Sequence, residues 1–244
     1  MAAIVTGGAK GIGKSCCLKL AERGIKVVVA DIDIKTAKET AAQIMSAGGT
    51  AIALHADMSK VSDIRGLVAA TVEEFSEVQI LVNNAGLLHA TEPEDITEEE
   101  WDAICDVNLK AVFFACQAVL PYMKKNKYGK IVNVSSMAGR NGGFANGLAY
   151  SATKAGVIGL SKGLATRLAK YNININAVCP GPTNTTILSS FSDEKIRELE
   201  GKIPLGRIGG TEDIANLISF LCSDESSFIT GTAIDINGGM YIGS

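Results

Sequence analysis

Apolar residues along this chain come in short, nearly unbroken runs, each followed by a longer stretch with helical spacing. AAIVT, KVVVAD and QILV are three such runs. Continuous hydrophobicity of this kind suits strands covered on both faces. The runs place strands at residues 2–6, 26–31, 50–54, 79–82, 130–134, 173–178 and 232–236. The intervening stretches have helical period, and several open on cap residues. Thr97 followed by Glu100 has the capping-box form, and Thr211 and Ser59 read as similar helix starts. Seven strands alternating with helices predict parallel βαβ units, because parallel neighbours need long crossovers. No Pro/Ser-rich linker, composition shift or internal repeat divides the sequence. The expected architecture is α/β: one doubly wound domain over residues 1–244 with a seven-stranded parallel sheet flanked by helices. Ligands of such sheets bind in the loops past the carboxyl ends of the strands.

Composition narrows the function. With 47% hydrophobic and 20% charged residues and only 5 Pro in 244, the chain is a folded protein large enough to bury a substantial core. Its 23 basic and 26 acidic residues give a net charge of −3, with no basic excess to hold a phosphate backbone, so nucleic acid is not expected as a partner. The N-terminal MAAIVTGG lacks the pattern of an export signal. No run approaches the roughly 18 consecutive apolar residues of a membrane span. A cytoplasmic protein with no membrane partner is expected. The 6 cysteines lack CxxC spacing and read as reduced, buried small hydrophobes. Two histidines, His55 and His89, are too few for a His-rich metal site, and no metal is expected.

The first strand runs into Thr6-Gly7-Gly8-Ala9-Lys10-Gly11-Ile12-Gly13. Glycines here let the backbone turn sharply and approach a ligand closely. The helix that follows offers unpaired N–H groups and a positive dipole end to a pyrophosphate. The second strand ends in Asp31, 18 residues after Gly13. That is where a dinucleotide site places an acid against the adenosine ribose hydroxyls. A carboxylate there repels a 2′-phosphate, so NAD is expected over NADP. Lys10 pulls the other way, as a cation able to meet that phosphate.

Tyr150 and Lys154 are four apart on a helical segment and share one face. A tyrosine hydroxyl, with a pKa of about 10, is a poor base near neutrality. An ammonium about 4 Å away stabilises the phenolate by at most about 4 kcal/mol at an effective dielectric of about 20, which brings the hydroxyl to about 7. The pair is therefore a credible proton-transfer device.

These residues do not stand alone. TGGAKGIG, Asn83-Asn84-Ala85-Gly86, Asn108 in DVNLKAVFF, Ser136 in IVNVSSMAG, Tyr150 and Lys154 in YSATK, and Pro180-Gly181 occur in this order. From end to end the chain resembles the short-chain dehydrogenase/reductase family. The resemblance implies a Rossmann fold and an oxidoreductase interconverting a secondary alcohol and a ketone. Tyr150 would be the general acid/base, and Ser136 would hydrogen-bond the substrate oxygen. Lys154 would bind the nicotinamide ribose and lower the Tyr150 pKa, and Asn108 would hold a relay water. The resemblance also places Asp57 beside the adenine and Asn83 and Gly86 along the adenosine, with Ile32, Met58 and Ala85 on the same groove. Thr183 and Thr185 fall at the nicotinamide carboxamide and phosphates, where Thr186 competes with them. Ser135 competes with Ser136, and Asn108 has the alternative of bridging helix turns. The 14 residues from Ser136 to Tyr150 exceed the family's usual gap by one, which alters a wall of the pocket.

The substrate expected first is a small polyol, acetoin-like compound or sugar alcohol, with a hydroxysteroid behind it. The alternative comes from the C-terminal part, Pro204-Leu205-Gly206-Arg207 and Asn237-Gly238-Gly239-Met240-Tyr241, which is similar to 3-oxoacyl-(acyl carrier protein) reductases. It implies an NADPH-dependent reductase of a carrier-bound thioester. Against it stand Asp31 and Tyr171, an aromatic where carrier-dependent members have a docking arginine. Lys124, Lys125 and Lys127 remain as a basic patch. Residues 183–201 correspond to a substrate lid, with Ile187, Leu188 and Phe191 over the pocket and Phe144, Met137 and His89 lining it. A nucleotide-sensing protein without chemistry is the third reading, disfavoured because Asn108, Ser136, Tyr150 and Lys154 are all present. The resemblance further implies a homotetramer built through residues 98–125, 150–170 and the last strand.

Overall fold

The computed structural model describes residues 1–143, 147–185 and 191–243. Seven strands, β1 (Ala2–Thr6), β2 (Lys26–Asp31), β3 (Ala51–His55), β4 (Ile80–Asn83), β5 (Gly129–Val134), β6 (Ile173–Pro180) and β7 (Ala233–Ile236), form one parallel sheet in the order β3-β2-β1-β4-β5-β6-β7. The order reverses between β1 and β4, and this switch point opens a crevice at the carboxyl ends of the strands.

Side chains alternate across the sheet. Ile4, Val28, Leu81, Ile131 and Ile175 face α3 (Val61–Phe75), α5 (Ala111–Asn126) and α7 (Leu148–Leu168). Val5, Val27, Val29, Val82 and Val132 face α1 (Gly11–Glu22), α2 (Ile34–Ser46) and α9 (Thr211–Leu221). Each fully buried Val or Ile contributes about 1.5–3 kcal/mol, so the unbroken apolar runs leave neither face free for solvent. One polar exception is Lys130 on β5, fully buried, whose Nζ donates to Asn174 Oδ1 at 2.9 Å.

The helix starts behave unevenly. Thr97 caps α4 (Glu98–Cys105) by accepting from the Glu100 N–H at 3.2 Å. Ser59 is not a cap: α3 begins at Val61 with Lys60 before it, and the Ser59 hydroxyl donates to Asp57 instead. Thr211 is the first residue of α9, with Gly210 at the cap and Asp213 Oδ2 accepting its N–H at 2.8 Å. A short helix, α6 (Ala138–Asn141), falls where the sequence suggested only loop. Within the stretch expected to be a lid lies one described helix, α8 (Asp193–Gly201).

Between α4 and α5 the chain makes a π-helical turn, Asp106–Lys110, without interrupting the helical rod. The joined run Glu98–Asn126 is long and apolar enough by length and composition to cross a membrane, although it holds no unbroken run of 18 apolar residues. Within it Ala111, Ala115, Cys116, Val119 and Met123 are buried against the sheet.

Candidate active site

The phosphate-type turn forms as its glycines require. Gly7 and Gly11 adopt φ of +64° and +54°, and a Cβ on Gly13 would collide with the Gly7 carbonyl. Asn84, which sequence reasoning left without a role, clamps the turn: its Nδ2 donates to the carbonyls of Thr6 and Gly7, each at 3.0 Å. The Thr6 hydroxyl accepts from the N–H groups of Asn84 and Ala85 at 3.0 and 3.1 Å, joining β1 to β4 across the switch point. Lys10 caps α1 with no side-chain bond, so the helix's first N–H groups stay open toward the crevice. Ile12 lines the crevice, and Thr185 approaches Gly11 from the opposite wall. The cradle fits a pyrophosphate, and hence a dinucleotide.

Asp31 closes β2 with both carboxylate oxygens engaged: Oδ2 accepts from Ala9 N and Oδ1 from Asp33 N, each at 3.0 Å. Lys10 is turned from it, pairing with Asp33 Oδ2 at 2.9 Å. That pair and Thr36 hold the Asp33 carboxyl well below the usual range. The signal for Asp33 was legible in the acid-apolar-acid run Asp31-Ile32-Asp33. Ile32 between them is 64% exposed, an apolar surface beside the acids. Asp57 turns to Ser59 and Lys60, its carboxyl lowered chiefly by the Ser59 hydroxyl.

Two expected contacts lose their side chains to the core. Met58 packs in the main cluster, and Asn83 is buried, donating through Nδ2 to Asn133 Oδ1 at 2.8 Å. Any cofactor contact at either residue belongs to its main chain.

The four expected catalytic residues converge. Ser135 and Ser136 are told apart: Ser135 Oγ donates to the Lys154 carbonyl at 2.8 Å, while Ser136 lines the cavity with Tyr150, whose pKa its hydroxyl lowers. Lys154 Nζ donates to the Val134 carbonyl at 2.8 Å, and burial draws its pKa down to about 8. It lies 5.6 Å from the Tyr150 ring centre. Burial raises the Tyr150 pKa and the Ser136 hydroxyl partly offsets this. The net direction is opposite to the lowering expected from Lys154. Asn108 sits in the π turn with its amide closed on Leu87: Oδ1 accepts from Leu87 N at 2.7 Å and Nδ2 donates to Leu87 O at 2.8 Å. A relay water would therefore have to use its main chain. A Cβ on Gly86 would lie 3.3 Å from Asn108 Oδ1 and 3.4 Å from Lys154 Nζ, which places Gly86 between them.

A cavity of about 430 Å³ opens on these groups. Leu88, Met137, Phe191, Leu199 and Met240 belong to its apolar wall, and Asn141 is a polar member that no sequence motif announced. His89 does not line it; its Nδ1 lies 3.5 Å from Glu100 Oε1 and its carbonyl accepts from Gly147 N. Phe144, Thr186, Ile187 and Leu188 lie outside the described residues. At the far wall β6 extends to Pro180, Gly181 N donates to Ile236 O, and Thr183 Oγ1 donates to Gly181 O at 3.0 Å.

A family model described as enoyl-(acyl carrier protein) reductase matches residues 7–241. The 3-oxoacyl-[acyl-carrier-protein] reductase of Staphylococcus aureus is 40% identical over 243 residues, 98% of this chain and 98% of that protein. The chain belongs to the short-chain dehydrogenase/reductase family. It is accordingly an oxidoreductase acting on CH–OH groups with a small-molecule substrate, of a family that uses NAD(P). The (2S)-[(R)-hydroxy(phenyl)methyl]succinyl-CoA dehydrogenase subunit of Thauera aromatica is 37% identical, over 97% of this chain and 95% of that one. Among solved structures, a putative short-chain alcohol dehydrogenase from Sinorhizobium meliloti superposes with a TM-score of 0.93 at 37% identity, covering 98% of this chain and 95% of that one.

Proposed function

We propose that this short-chain dehydrogenase/reductase interconverts a 3-oxoacyl and a 3-hydroxyacyl thioester, using NAD(H). The observation that carries the substrate is full-length similarity to proteins named for thioesters, one carrier-linked and one linked to CoA. It moves the thioester ahead of the small polyol, which the sequence alone placed first. The cofactor choice rests on Asp31 and Asp33 together, with the Lys10 ammonium already paired to Asp33. Two carboxylates at the ribose end leave no uncompensated cation for a 2′-phosphate.

The residues that hold the dinucleotide are the 7–13 turn, Asp31, Gly86, Lys154 and Thr185. When bound, it supplies or accepts the hydride at the reacting carbon. Tyr150 donates a proton to the substrate oxygen in reduction and takes it back in oxidation. Ser136 shares that oxygen and stabilises its developing charge. Lys154, held by the Val134 carbonyl, keeps a positive charge beside the phenol. Of the expected lid, residues 183–201, the described Phe191 and Leu199 line the cavity.

A small secondary alcohol is the second reading, favoured by Tyr171 in place of an arginine and by the alcohol dehydrogenase likeness. Steady-state turnover of NADH and NADPH with an acetoacetyl thioester, and of NAD⁺ with small diols, tests both. Thioester reduction with NADH preferred is expected. Diol turnover exceeding that of the thioester moves the assignment to the second reading, and NADPH preference overturns the cofactor choice.

A further inference from the structure

Most polar side chains on the cavity wall already have partners. Asn84 donates to Thr6 and Gly7, Ser135 to Lys154, Lys154 to Val134 and Thr183 to Gly181. Thr185 is engaged as well. Ser136 and Tyr150 are reserved for the reacting oxygen. Asn141 is different. Its Oδ1 accepts from Gly143 N at 3.0 Å, which fixes the amide orientation because an N–H must meet the oxygen. Its Nδ2 has no partner among the described residues, on a wall that is otherwise largely apolar.

The amide is also rigidly placed. Gly142 and Gly143 turn with φ of +83° and +67°, a conformation that closes the loop onto Oδ1. Behind Asn141, Arg140 Nε donates to Asp235 Oδ1 at 3.2 Å and its terminal nitrogen donates to the Ala233 carbonyl, strapping α6 to β7. Gly139 packs on the backbone of Lys154, where an added Cβ would lie 2.6 Å from the Lys154 carbonyl carbon. Met137 N donates to Pro180 O at 2.8 Å. The turn carrying Asn141 is thus registered directly against the helix carrying Tyr150 and Lys154.

We propose that Asn141 is a specificity-determining residue whose Nδ2 donates a hydrogen bond to a second oxygen of the substrate, one or two carbons from the reacting carbon. This deepens the proposed function and rests on it: in a 3-oxoacyl thioester the second oxygen is the thioester carbonyl, and in an acetoin-like compound it is the neighbouring oxygen. A site built to hydrogen-bond an oxygen rejects the analogue lacking it, because the polar group is then left unpaired.

The test compares kcat/KM for two pairs, an acetoacetyl thioester against a monoketone of similar length and diacetyl against butanone, in wild type, Asn141→Ala and Asn141→Asp. Asn141→Asp keeps an acceptor for Gly143 N while removing the donor, so it separates loss of the bond from loss of the turn. Fluorescence of bound NADH reports that each variant is folded. The expected result is a fall of about tenfold in the preference for the two-oxygen member in both variants. The pair in which it falls identifies the source of the oxygen, so a fall confined to diacetyl supports the Asn141 role while removing the thioester reading. An unchanged preference in both pairs overturns the proposal. So does a wild-type enzyme with no preference for either two-oxygen compound.

Discussion

At the Tyr150 hydroxyl, burial and partner oppose each other. Burial raises the pKa and Ser136 lowers it, with burial ahead. The hydroxyl is therefore a neutral phenol at neutral pH, ready to donate in reduction, whereas oxidation needs the phenolate. Ketone reduction should hold near neutrality and decline in alkali, and alcohol oxidation should climb between about pH 7 and about pH 10. Rate–pH profiles in both directions check this; an oxidation rate falling over that interval contradicts it. Tyr150→Phe should lower kcat about a thousandfold while NADH fluorescence still reports binding. The Lys154 ammonium, drawn down to about 8 by burial, loses its charge within the same interval. At the other end of the groove, Asp31→Ala with Asp33→Ala removes both carboxylates and releases Lys10. The ratio of NADPH to NADH efficiency should rise about a hundredfold, roughly tenfold per charge. An unchanged ratio would show that the acids do not select.

Among the elements, those with a self-contained chemical signal were legible. Thr97 caps α4 as its spacing from Glu100 implies, because the bond lies within one turn. Thr97→Ala should remove about 1 kcal/mol and lower the melting midpoint by about 3 °C, readable by thermal denaturation. Ser59 carries the same kind of signal, yet its hydroxyl is taken by Asp57, a competitor two residues away that periodicity does not rank. The α6 turn was missed because four residues hold no period; it exists through Arg140 reaching β7 and Gly139 meeting the Lys154 backbone, contacts across about 95 and 15 residues of chain. The π turn at Asp106–Lys110 was equally silent, since its sequence differs little from ordinary helix, and it is there that Asn108 meets Leu87.

At the scale of the whole molecule, the 98–126 helical run leaves Trp101 and Phe113 about two-fifths exposed, and Phe228 near the last strand is fully exposed. Exposed apolar residues of this kind suit an interface between chains, and the family resemblance makes a homotetramer the expectation to test. Light scattering should give four chains per particle, and Phe113→Glu should yield a smaller species; a monomeric wild type would refute it. The strand runs, the order of the motifs, the glycine turn and the Tyr150–Lys154 face were determined by the sequence alone, because each depends on residues close together or on a repeated apolar run. Several features were decided only by tertiary structure. Ser136 rather than Ser135 faces the cavity because Ser135 meets a carbonyl on α7. Asn83 turns inward because Asn133 waits on the neighbouring strand. Lys10 is neutralised by Asp33, Tyr150 is raised rather than lowered, and Asn141 Nδ2 is left without a partner among the described residues on the cavity wall. In each case the outcome depends on which partner a polar group meets across the fold. Residue order constrains that choice only through the packing of the sheet and its helices.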